Sequence, residues 1–534
     1  MRLRRRSYLL IPLFLAICSI AAGVFSGSHV SAATTGDDAV SQNLRSFTQV
    51  YDVVEQNFAD QVKPDKAIYN GAIPGMLRTL DPHSNFFDPK AYAALREDQR
   101  GHYFGIGMTV RQNGNKTIVL APFTGSPAYK AGLRPGDVIL QVNDKKTDGL
   151  NTTEVADLLK GPRGTRVQVS IGREGVEKPI VFNITRDEIP RFSVSEAFWL
   201  KPGIAYIKVS QFNENTGKEM EDNLKKLGEQ NIKGLVLDLR ENPGGLLNEG
   251  VEVAGHFLKK NELVVSHHGR AQPNKNYVAH SDNGGKDYPL VVVVNRYSAS
   301  AAEIVSGALQ DHDRGWILGE TTFGKGLVQT VFPLSENTGL ALTTAHYYTP
   351  SGRLIQRDYS NISFLDYYYN NNRDQKNLAD VKMTDSGRTV YGGGGITPDE
   401  KYTVPKPNKF QAELLRKFAF FNFSAKYFGA KTDTHLPKGW EPDESVVNDF
   451  HDFLQKNDVS FTEADFTENR QWVKEQLKRE MYITAFSVED SDRVKIEQDP
   501  EVAKAVEAMP KAKALLDSAK KLLVQRITQQ DRQQ

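Results

Sequence analysis

The sequence predicts a multidomain α/β protein with helical regions at both ends of the chain. At 534 residues the chain is too long for one ordinary domain. Between residues 188 and 404, apolar runs of strand length alternate with helical patterns, which is typical of a parallel sheet covered by helices. Residues 101–187 instead show short strands and glycine turns, and residues 405–534 are charged with helical periodicity.

The first 32 residues are predicted to be an export signal or a membrane anchor. Four arginines in the first six positions precede the apolar stretch Tyr8–Phe25, and a small-residue cleavage site ends at Ala32. The apolar run is long for a signal peptide, so an uncleaved anchor is the alternative. We favour cleavage because Pro12 and Gly23 interrupt the run.

Composition excludes several classes of protein. The net charge of +1 gives no indication of nucleic-acid binding, and the charged fraction of 25% is that of a soluble globular protein. Cys18, the only cysteine, lies inside the N-terminal apolar run. A mature chain would therefore have no disulfide, no thiol nucleophile and no cysteine-based metal site, which suits the bacterial periplasm or cell surface.

Residues 38–100 are predicted to be mainly helical. After a disordered leader at residues 34–40, apolar side chains recur at helical spacing from Val40 to Phe58. A second helical stretch, from Lys66 to Leu80, is expected to be interrupted at Pro74.

Two stretches of the central region repeat one plan of strand, turn and helix. The buried strand Val291–Val294 ends before Ser298 and Ser300, and the strand Gly234–Arg240 ends in a glycine turn before the helix Glu249–Leu258. Ligands bind at the carboxyl ends of strands in such sheets, so both turns can face one crevice. A serine at a helix start is more often an N-cap, however, and position alone does not decide.

A lysine downstream gives the serines a possible partner. Lys325 is flanked by Gly324 and Gly326, which allow a sharp turn and a close approach of the backbone. A lysine acts as a base only when it is neutral, and burial favours that form. Ser/Lys pairs are a known variant of nucleophile and base.

The run SASAAE, Ser298–Glu303, followed by TFGKGLVQT, resembles the motif SASASE…FGKG..Q of the C-terminal processing (tail-specific) peptidases. In that family the second serine is the nucleophile, which implies Ser300. The resemblance also implies Lys325 as general base and Gln329 as the residue that orients it. One departure is Ala302 in place of the third serine, which is not the nucleophile.

The run LDLRENPGG resembles the family's LDLR.NPGG, whose glycine supplies one oxyanion amide. The second amide comes from the residue after the nucleophile, here Ala301. Sequence alone does not choose between Gly244 and Gly245. Asp238 and Arg240 are expected to be structural.

Residues 101–187 resemble a PDZ domain, which the family carries at this point of its chain. The run AGLRPGDVI and the segment Phe104, Gly105, Ile106 and Gly107 carry this resemblance. Consecutive backbone N–H groups there could hold a peptide's terminal carboxylate while the peptide adds as a strand to an open edge.

The resemblance covers roughly residues 40–404 and implies a crotonase/ClpP-like α/β peptidase core at 188–404. It also implies the N-terminal helical region at 38–100. Within the core, residues 358–390 are predicted to be a long loop or insertion of unknown role. No chemistry is assigned to the C-terminal helical extension, residues 405–534.

The expected function is that of an exported serine endopeptidase that selects protein substrates by their C-terminal tails, without metal or other cofactor. No nucleic-acid partner is expected, membrane contact would come only through an N-terminal anchor, and an oligomer is possible. The alternatives are a PDZ scaffold with a decayed peptidase core, or another acyl-transfer enzyme on the same core. A Ser–His enzyme is disfavoured because His83 lies in an Asp-Pro turn and His312 lies too far along the helix of Ser300.

Overall fold

The computed structural model describes residues 36–533 apart from 272, 281–285, 361–362, 370–376 and 458. The proposed signal or anchor, residues 1–32, lies outside the described residues. The chain divides into two compact units, Met1–Met76 and Leu77–Gln534.

The first unit is helical. Its helices are α1 (Gly36–Asn57), α2 (Pro64–Ala67) and the start of α3 (Ile73–Arg78), with a π-helical turn at Ile68–Ala72. The prediction of a disordered leader is wrong for residues 36–40, which belong to α1. The expected break at Pro74 is also misplaced: Pro74 is accommodated in the first turn of α3, and the irregular turn precedes it.

The second unit begins with strand β1 (Asn85–Phe87) and helix α4 (Pro89–Arg100). An antiparallel sheet follows, with its own core centred on Val119, Val155 and Val169. Its elements are β2 (His102–Gly105), β3 (Met108–Asn113), β4 (Lys116–Pro122), α5 (Pro127–Ala131), β5 (Val138–Val142), β6 (Lys145–Lys146), α6 (Thr152–Leu159), β7 (Arg166–Gly172), β8 (Ile180–Thr185) and β9 (Asp187–Pro190). The strand order is β3-β4-β5-β7-β8, with β6 on β5, and β2 pairs with β9.

The central region contains two larger sheets and the two-stranded sheet β19–β20. Its strands are β10 (Val194–Lys201), β11 (Ile204–Val209), β12 (Gly234–Asp238), β13 (Leu263–His268), β14 (Lys275–Val278), β15 (Leu290–Val294), β16 (Trp316–Gly319), β17 (Leu327–Pro333), β18 (Gly339–Tyr348), β19 (Asn377–Met383), β20 (Thr389–Gly392) and β21 (Glu400–Lys401). The helices are α7 (Thr216–Leu227), α8 (Leu247–Gly255), α9 (Ala301–Asp311) and α10 (Phe364–Tyr369).

The first of these sheets has the order β10-β11-β12-β15-β16-β21 and is parallel except for β10. Every residue of β12 and β15 is buried, as their unbroken apolar runs predict. The second sheet is antiparallel, with the order β1-β18-β13-β14 and with β17 also paired to β18. The active-site candidates lie where these two sheets meet.

The prediction of a plain loop at residues 358–390 is wrong in part. The segment contains helix α10 and the strands of the β19–β20 hairpin, whose second strand starts at Thr389. Tyr367 is buried and packs edge-on to His83 at 5.4 Å between ring centroids. Aromatic residues of this polar segment thus form a packed cover rather than a solvated loop.

The C-terminal extension consists of eight helices within the described residues: α11 (Lys409–Arg416), α12 (Ala419–Phe428), α13 (Glu444–Lys456), α14 (Glu463–Glu468), α15 (Arg470–Ala485), α16 (Val488–Glu497), α17 (Pro500–Glu507) and α18 (Met509–Gln533). The guanidinium of Arg111, on β3, lies 3.6 Å from the ring centroid of Phe418. Arg240, after β12, donates to Glu501 at 2.8 Å. The extension therefore contacts both the β-rich region and the central region. In the described part of the chain, no helix is long and apolar enough to cross a membrane.

Candidate active site

Ser300 occupies the sharp turn between β15 and α9. Its φ of 55° and ψ of −115° are rare for a residue with a side chain. Two contacts hold this backbone: the Ser300 N–H donates to Glu303 Oε2 at 2.9 Å, and the Tyr347 hydroxyl donates to the Ser300 carbonyl at 3.1 Å. The conformation costs on the order of 1–3 kcal/mol and persists because the surroundings impose it.

Glu303 is a fully buried carboxylate that joins the serine turn to the lysine loop. It accepts hydrogen bonds from the N–H groups of Ser300, Gly324 and Lys325, at 2.9, 2.6 and 2.8 Å, and from the Thr322 hydroxyl at 2.5 Å. Burial raises the pKa of Glu303, and these donors oppose that shift. Because all four groups donate, the arrangement fits the ionised carboxylate.

Lys325 lies in the glycine turn before β17, with its side chain directed to Gln329. Its Nζ donates to Gln329 Oε1 at 2.8 Å. Burial lowers the pKa of Lys325, while the charges of Glu303 and Asp81 oppose the shift. The Tyr347 hydroxyl also contacts the Lys325 carbonyl, so one buried phenol touches the main chain at both Ser300 and Lys325.

The amide of Gln329 is fixed on its other side. Its Nε2 donates to the backbone carbonyl of His83 at 2.5 Å. The His83 ring contacts the hydroxyls of Tyr367 and Tyr368 at 3.0 and 3.2 Å, and burial together with the charge of Lys325 lowers the pKa of His83 to about 4. His83 is therefore neutral near pH 7, and both ring nitrogens have tyrosine partners.

The second histidine considered, His312, is also committed elsewhere. Its Nδ1 lies 2.8 Å from Asp385 Oδ2 and its Nε2 lies 2.7 Å from the Leu263 carbonyl. Neither imidazole offers a nitrogen to Ser300, which removes support for a Ser–His arrangement.

Two glycines compete for the oxyanion position beside Ala301, the first residue of α9. Gly244 has φ of 95° and lies against the turn of Ser300: a Cβ there would come within 2.6 Å of Ser300 Cβ. Its N–H donates to Asn242 Oδ1 at 2.8 Å. Gly245 follows at an exposed position, and a Cβ there would collide with the Phe212 carbonyl at 2.0 Å. Both glycines are required by backbone packing, but the N–H of Gly244 is already bonded.

The glycine segment before β3 is held in place through its carbonyl groups. The carbonyls of Ile106 and Gly107 accept from Ala128 N–H at 2.8 Å and Phe123 N–H at 3.0 Å. Gly107 has φ of 78°, and a Cβ there would lie 2.5 Å from Ser126 Cβ. Phe104 is partly exposed. Among the described strands β3 pairs with β4 alone, so its other edge can accept an added strand.

Side chains that could bind a metal ion are not clustered in the described residues. The residues that the structure describes include no cluster of three or more His, Cys, Asp or Glu side chains able to hold a metal ion.

The fold and these sites define a serine-type peptidase with a PDZ domain. The family model for peptidase family S41 matches residues 203–361, the PDZ model matches 118–173, and the model for the N-terminal domain of the activating protease CtpB matches 20–91. The chain is 38% identical over 345 residues to the carboxy-terminal-processing protease of Bartonella bacilliformis, covering 63% of this chain and 79% of that protein. The chain belongs to peptidase family S41, among the carboxy-terminal processing proteases.

A second curated relative and one solved structure are also similar to this chain. The carboxyl-terminal-processing protease of Synechocystis sp. is 40% identical over 292 residues, which is 54% of this chain and 68% of that protein. Among solved structures, the photosystem II D1 C-terminal processing protease is 31% identical, with a TM-score of 0.35, over 65% of this chain and 85% of that one.

Sequence reasoning missed three parts of the site: Glu303, Tyr347 and the His83 carbonyl. Glu303 left a signal, because it is an acid one turn into the apolar run that forms α9. Tyr347 looks like any aromatic residue of a strand. A backbone carbonyl leaves no signal in a sequence, so its contact with Gln329 is found only in the fold.

Proposed function

We propose that this peptidase is an exported endopeptidase with Ser300 as nucleophile and Lys325 as general base. One observation carries the proposal: the buried carboxylate of Glu303 accepts the main-chain N–H groups of both residues, at 2.9 and 2.8 Å. The two turns are thereby tied to the same oxygen atom. Burial, which favours neutral lysine, supplies the protonation state that a base needs.

The reaction is acyl transfer in two halves. Lys325 Nζ takes the proton of the Ser300 hydroxyl as Oγ attacks the scissile carbonyl carbon, giving a tetrahedral oxyanion. The C–N bond then breaks, and Lys325 returns the proton to the leaving amine. Water attacks the acyl-enzyme with Lys325 again taking a proton, and the tetrahedral adduct collapses to release the carboxylic acid and restore the Ser300 hydroxyl.

We assign the oxyanion hole to the N–H groups of Ala301 and Gly245. Ala301 opens α9, where helix N–H groups lack intrahelical partners. Gly245 is favoured over Gly244 because the N–H of Gly244 donates to Asn242. Gly244 then serves by its missing side chain, which leaves room for Ser300. Two such donors stabilise the charge that develops on the carbonyl oxygen.

Substrate selection is assigned to the PDZ domain. A free C-terminal carboxylate would bind the N–H groups of Gly105, Ile106 and Gly107, next to Phe104, while the tail adds to the open edge of β3. We further propose export to the periplasm on the strength of the basic and apolar residues 1–32, either cleaved or retained as an anchor.

The direct test compares three variants in peptide cleavage and in labelling by a fluorophosphonate, which reacts with activated serines. Ser300→Ala and Lys325→Arg should both lose cleavage and labelling while remaining folded, because arginine does not deprotonate. Ser298→Ala is the matched control: its hydroxyl donates to the Leu239 carbonyl at 2.8 Å and should affect stability rather than chemistry. An active Ser300→Ala enzyme would overturn the proposal.

Tail selection is tested separately with one protein substrate in free-acid and C-terminally amidated forms. Amidation removes the terminal charge and leaves the scissile bond unchanged. Cleavage of the amidated form should be much slower at concentrations well below saturation. Equal rates for the two forms would show that the PDZ domain does not read the C-terminus.

A further inference from the structure

The turn formed by Asp81, Pro82, His83 and Ser84 lies against the base side of the candidate site. The Gln329 amide lies between two groups, with Oε1 accepting from Lys325 Nζ at 2.8 Å and Nε2 donating to the His83 carbonyl at 2.5 Å. A carbonyl can only accept, so it selects the amide orientation in which Nε2 faces it. That orientation leaves Oε1 for the lysine.

This orientation matters for a neutral lysine. When Gln329 accepts an N–H from Lys325, the nitrogen lone pair is left free to receive a proton from elsewhere. In the flipped amide, the NH₂ group would face the amine and could donate to that lone pair, which would compete with proton transfer from the nucleophile. The His83 carbonyl therefore selects between a productive and an unproductive arrangement.

The position of that carbonyl is set by Asp81, whose side chain is 6% exposed. Asp81 Oδ1 accepts from the N–H groups of His83 and Ser84, each at 2.7 Å, and Oδ2 accepts from the Ser84 hydroxyl at 2.7 Å. This closes an Asx turn, which fixes the peptide planes on both sides of His83. Burial raises the pKa of Asp81, but these hydrogen bonds outweigh it and lower the pKa below its ordinary value.

The same turn is fastened to the strand pair that carries Gln329. Ser84 Oγ accepts from the Thr343 N–H at 3.1 Å, and Thr343 is the register partner of Gln329 between β17 and β18. The register shifts between Val328 and Gln329, which marks an irregular position in the ladder. The turn thus contacts Gln329 directly and its cross-strand partner through Ser84.

We propose that the Asp81–Ser84 turn is a positioning element of the peptidase, in which Asp81 holds the His83 carbonyl against Gln329 and so directs the Lys325 lone pair. The inference rests on the proposed Ser300/Lys325 chemistry. Asp81 acts through two other residues and does not itself touch the reacting atoms.

The test is a double-mutant cycle on kcat with the full-length enzyme. Asp81→Ala should lower kcat by about 100-fold, the scale of a small misplacement of a catalytic group, with KM within about twofold of wild type. Gln329→Ala removes the residue through which the turn acts. The double variant should therefore be no slower than Gln329→Ala alone, because the two changes break one chain of contacts.

Two conservative variants separate positioning from folding. Asp81→Asn retains an acceptor for the two amides and should recover most of the kcat that Asp81→Ala loses. Because Asp81 also raises the pKa of Lys325, the acid limb of its pH–rate profile should move to lower pH. Ser84→Ala keeps both amide contacts to Asp81 but removes the link to Thr343, so its kcat should lie between those of wild type and Asp81→Ala. Asp81→Asn also provides the test if Asp81→Ala does not fold.

The outcomes distinguish this inference from the proposed function. Independent, multiplying effects of Asp81→Ala and Gln329→Ala would overturn the positioning role, as would an Asp81→Asn enzyme that is as slow as Asp81→Ala. If Ser300→Ala and Lys325→Arg are inactive while Asp81→Ala has wild-type kcat, this inference alone fails. If Lys325→Arg is active, the dyad itself is wrong.

Discussion

Replacing Glu303 by glutamine should slow the enzyme and at the same time shift its pH dependence. The change keeps size and removes one acceptor oxygen. In the least costly orientation, the new NH₂ group of the glutamine faces Thr322 and Gly324. The Thr322 hydroxyl can accept a hydrogen bond from this group, but the Gly324 N–H cannot. The buried Gly324 N–H then has no acceptor, and the remaining hydrogen bonds are weaker because their acceptor is no longer charged.

The magnitude follows from these contacts. An unsatisfied buried donor costs about 2 kcal/mol, and each of the three remaining bonds weakens by about 1 kcal/mol, so the folded state loses roughly 5 kcal/mol. At the Ser300 N–H, the same weakening of about 1 kcal/mol makes the strained backbone of the turn harder to hold. If about 1 kcal/mol is lost from the reactive geometry, kcat falls by about fivefold.

The pH profile carries the distinguishing signal. Glu303 raises the pKa of Lys325, so removing its charge lowers that pKa further and moves the acid limb of kcat to lower pH. The assay is peptide cleavage and fluorophosphonate labelling across pH, below the unfolding temperature of each variant. Thr322→Val is the matched control, because it removes one donor to Glu303 without touching the carboxylate charge, and its limb should not move. A Glu303→Gln enzyme with kcat within twofold of wild type and an unmoved limb would refute the reasoning.

The remaining predictions concern charge. Wild-type cleavage should rise with pH through the lowered pKa of Lys325, below the 10.5 of a free lysine, and chelators should leave it unchanged. Burial lowers the pKa of His312, but Asp385 and a backbone carbonyl raise it more, from 6.5 to about 9. The protonated His312 therefore stabilises the folded state by roughly 3 kcal/mol. This contribution is fully present below pH 6.5 and is lost as the pH rises through 9. Urea unfolding of His312→Gln at pH 6 and pH 9.5 should show a larger deficit at pH 6, and equal deficits would contradict this. Arg240→Met should lower the free energy of unfolding by about 3–5 kcal/mol because buried Asp238 loses its arginine partner, whereas Arg416→Met at an exposed pair should leave it nearly unchanged.

The sequence predicts much of the secondary structure because local patterns and burial agree. The apolar run ending at Val294 is a buried central strand, and the alternating pattern from Ile204 to Val209 is a strand beside it. The errors come where local polarity and tertiary packing disagree. The composition of the Asn- and Tyr-rich segment after Asp358 predicts a loop, yet Tyr367 is buried against His83. Composition does not show which tyrosine side chains pack into the protein.

The candidate site divides in the same way. Ser300 and Lys325 stand in runs whose glycines and small residues mark special backbone, so the sequence indicates both. Our proposal of Gly245 over Gly244 depends on which N–H is already bonded, and the contact of Gly244 with the Asn242 side chain is visible only in the fold. The sequence shows Glu303 as a charged residue in an apolar helix. It does not show three of its four partners, because these lie 19 to 22 positions away in the chain.

The proposed oxyanion donors and the proposed base lie on different sheets, so a movement between the sheets could separate them. The oxyanion donors follow β12 and β15, which pair directly in the first sheet. Gln329 lies on β17 of the second sheet, and Lys325 lies in the turn that leads into it. Glu303 and Tyr347 contact the main chain of both Ser300 and Lys325. A small displacement of the second sheet would therefore remove the base while leaving the oxyanion donors in place, since only contacts between the sheets would be lost. Such a state would still bind substrate and would be slow in acylation, so it would lower kcat more than it raises KM.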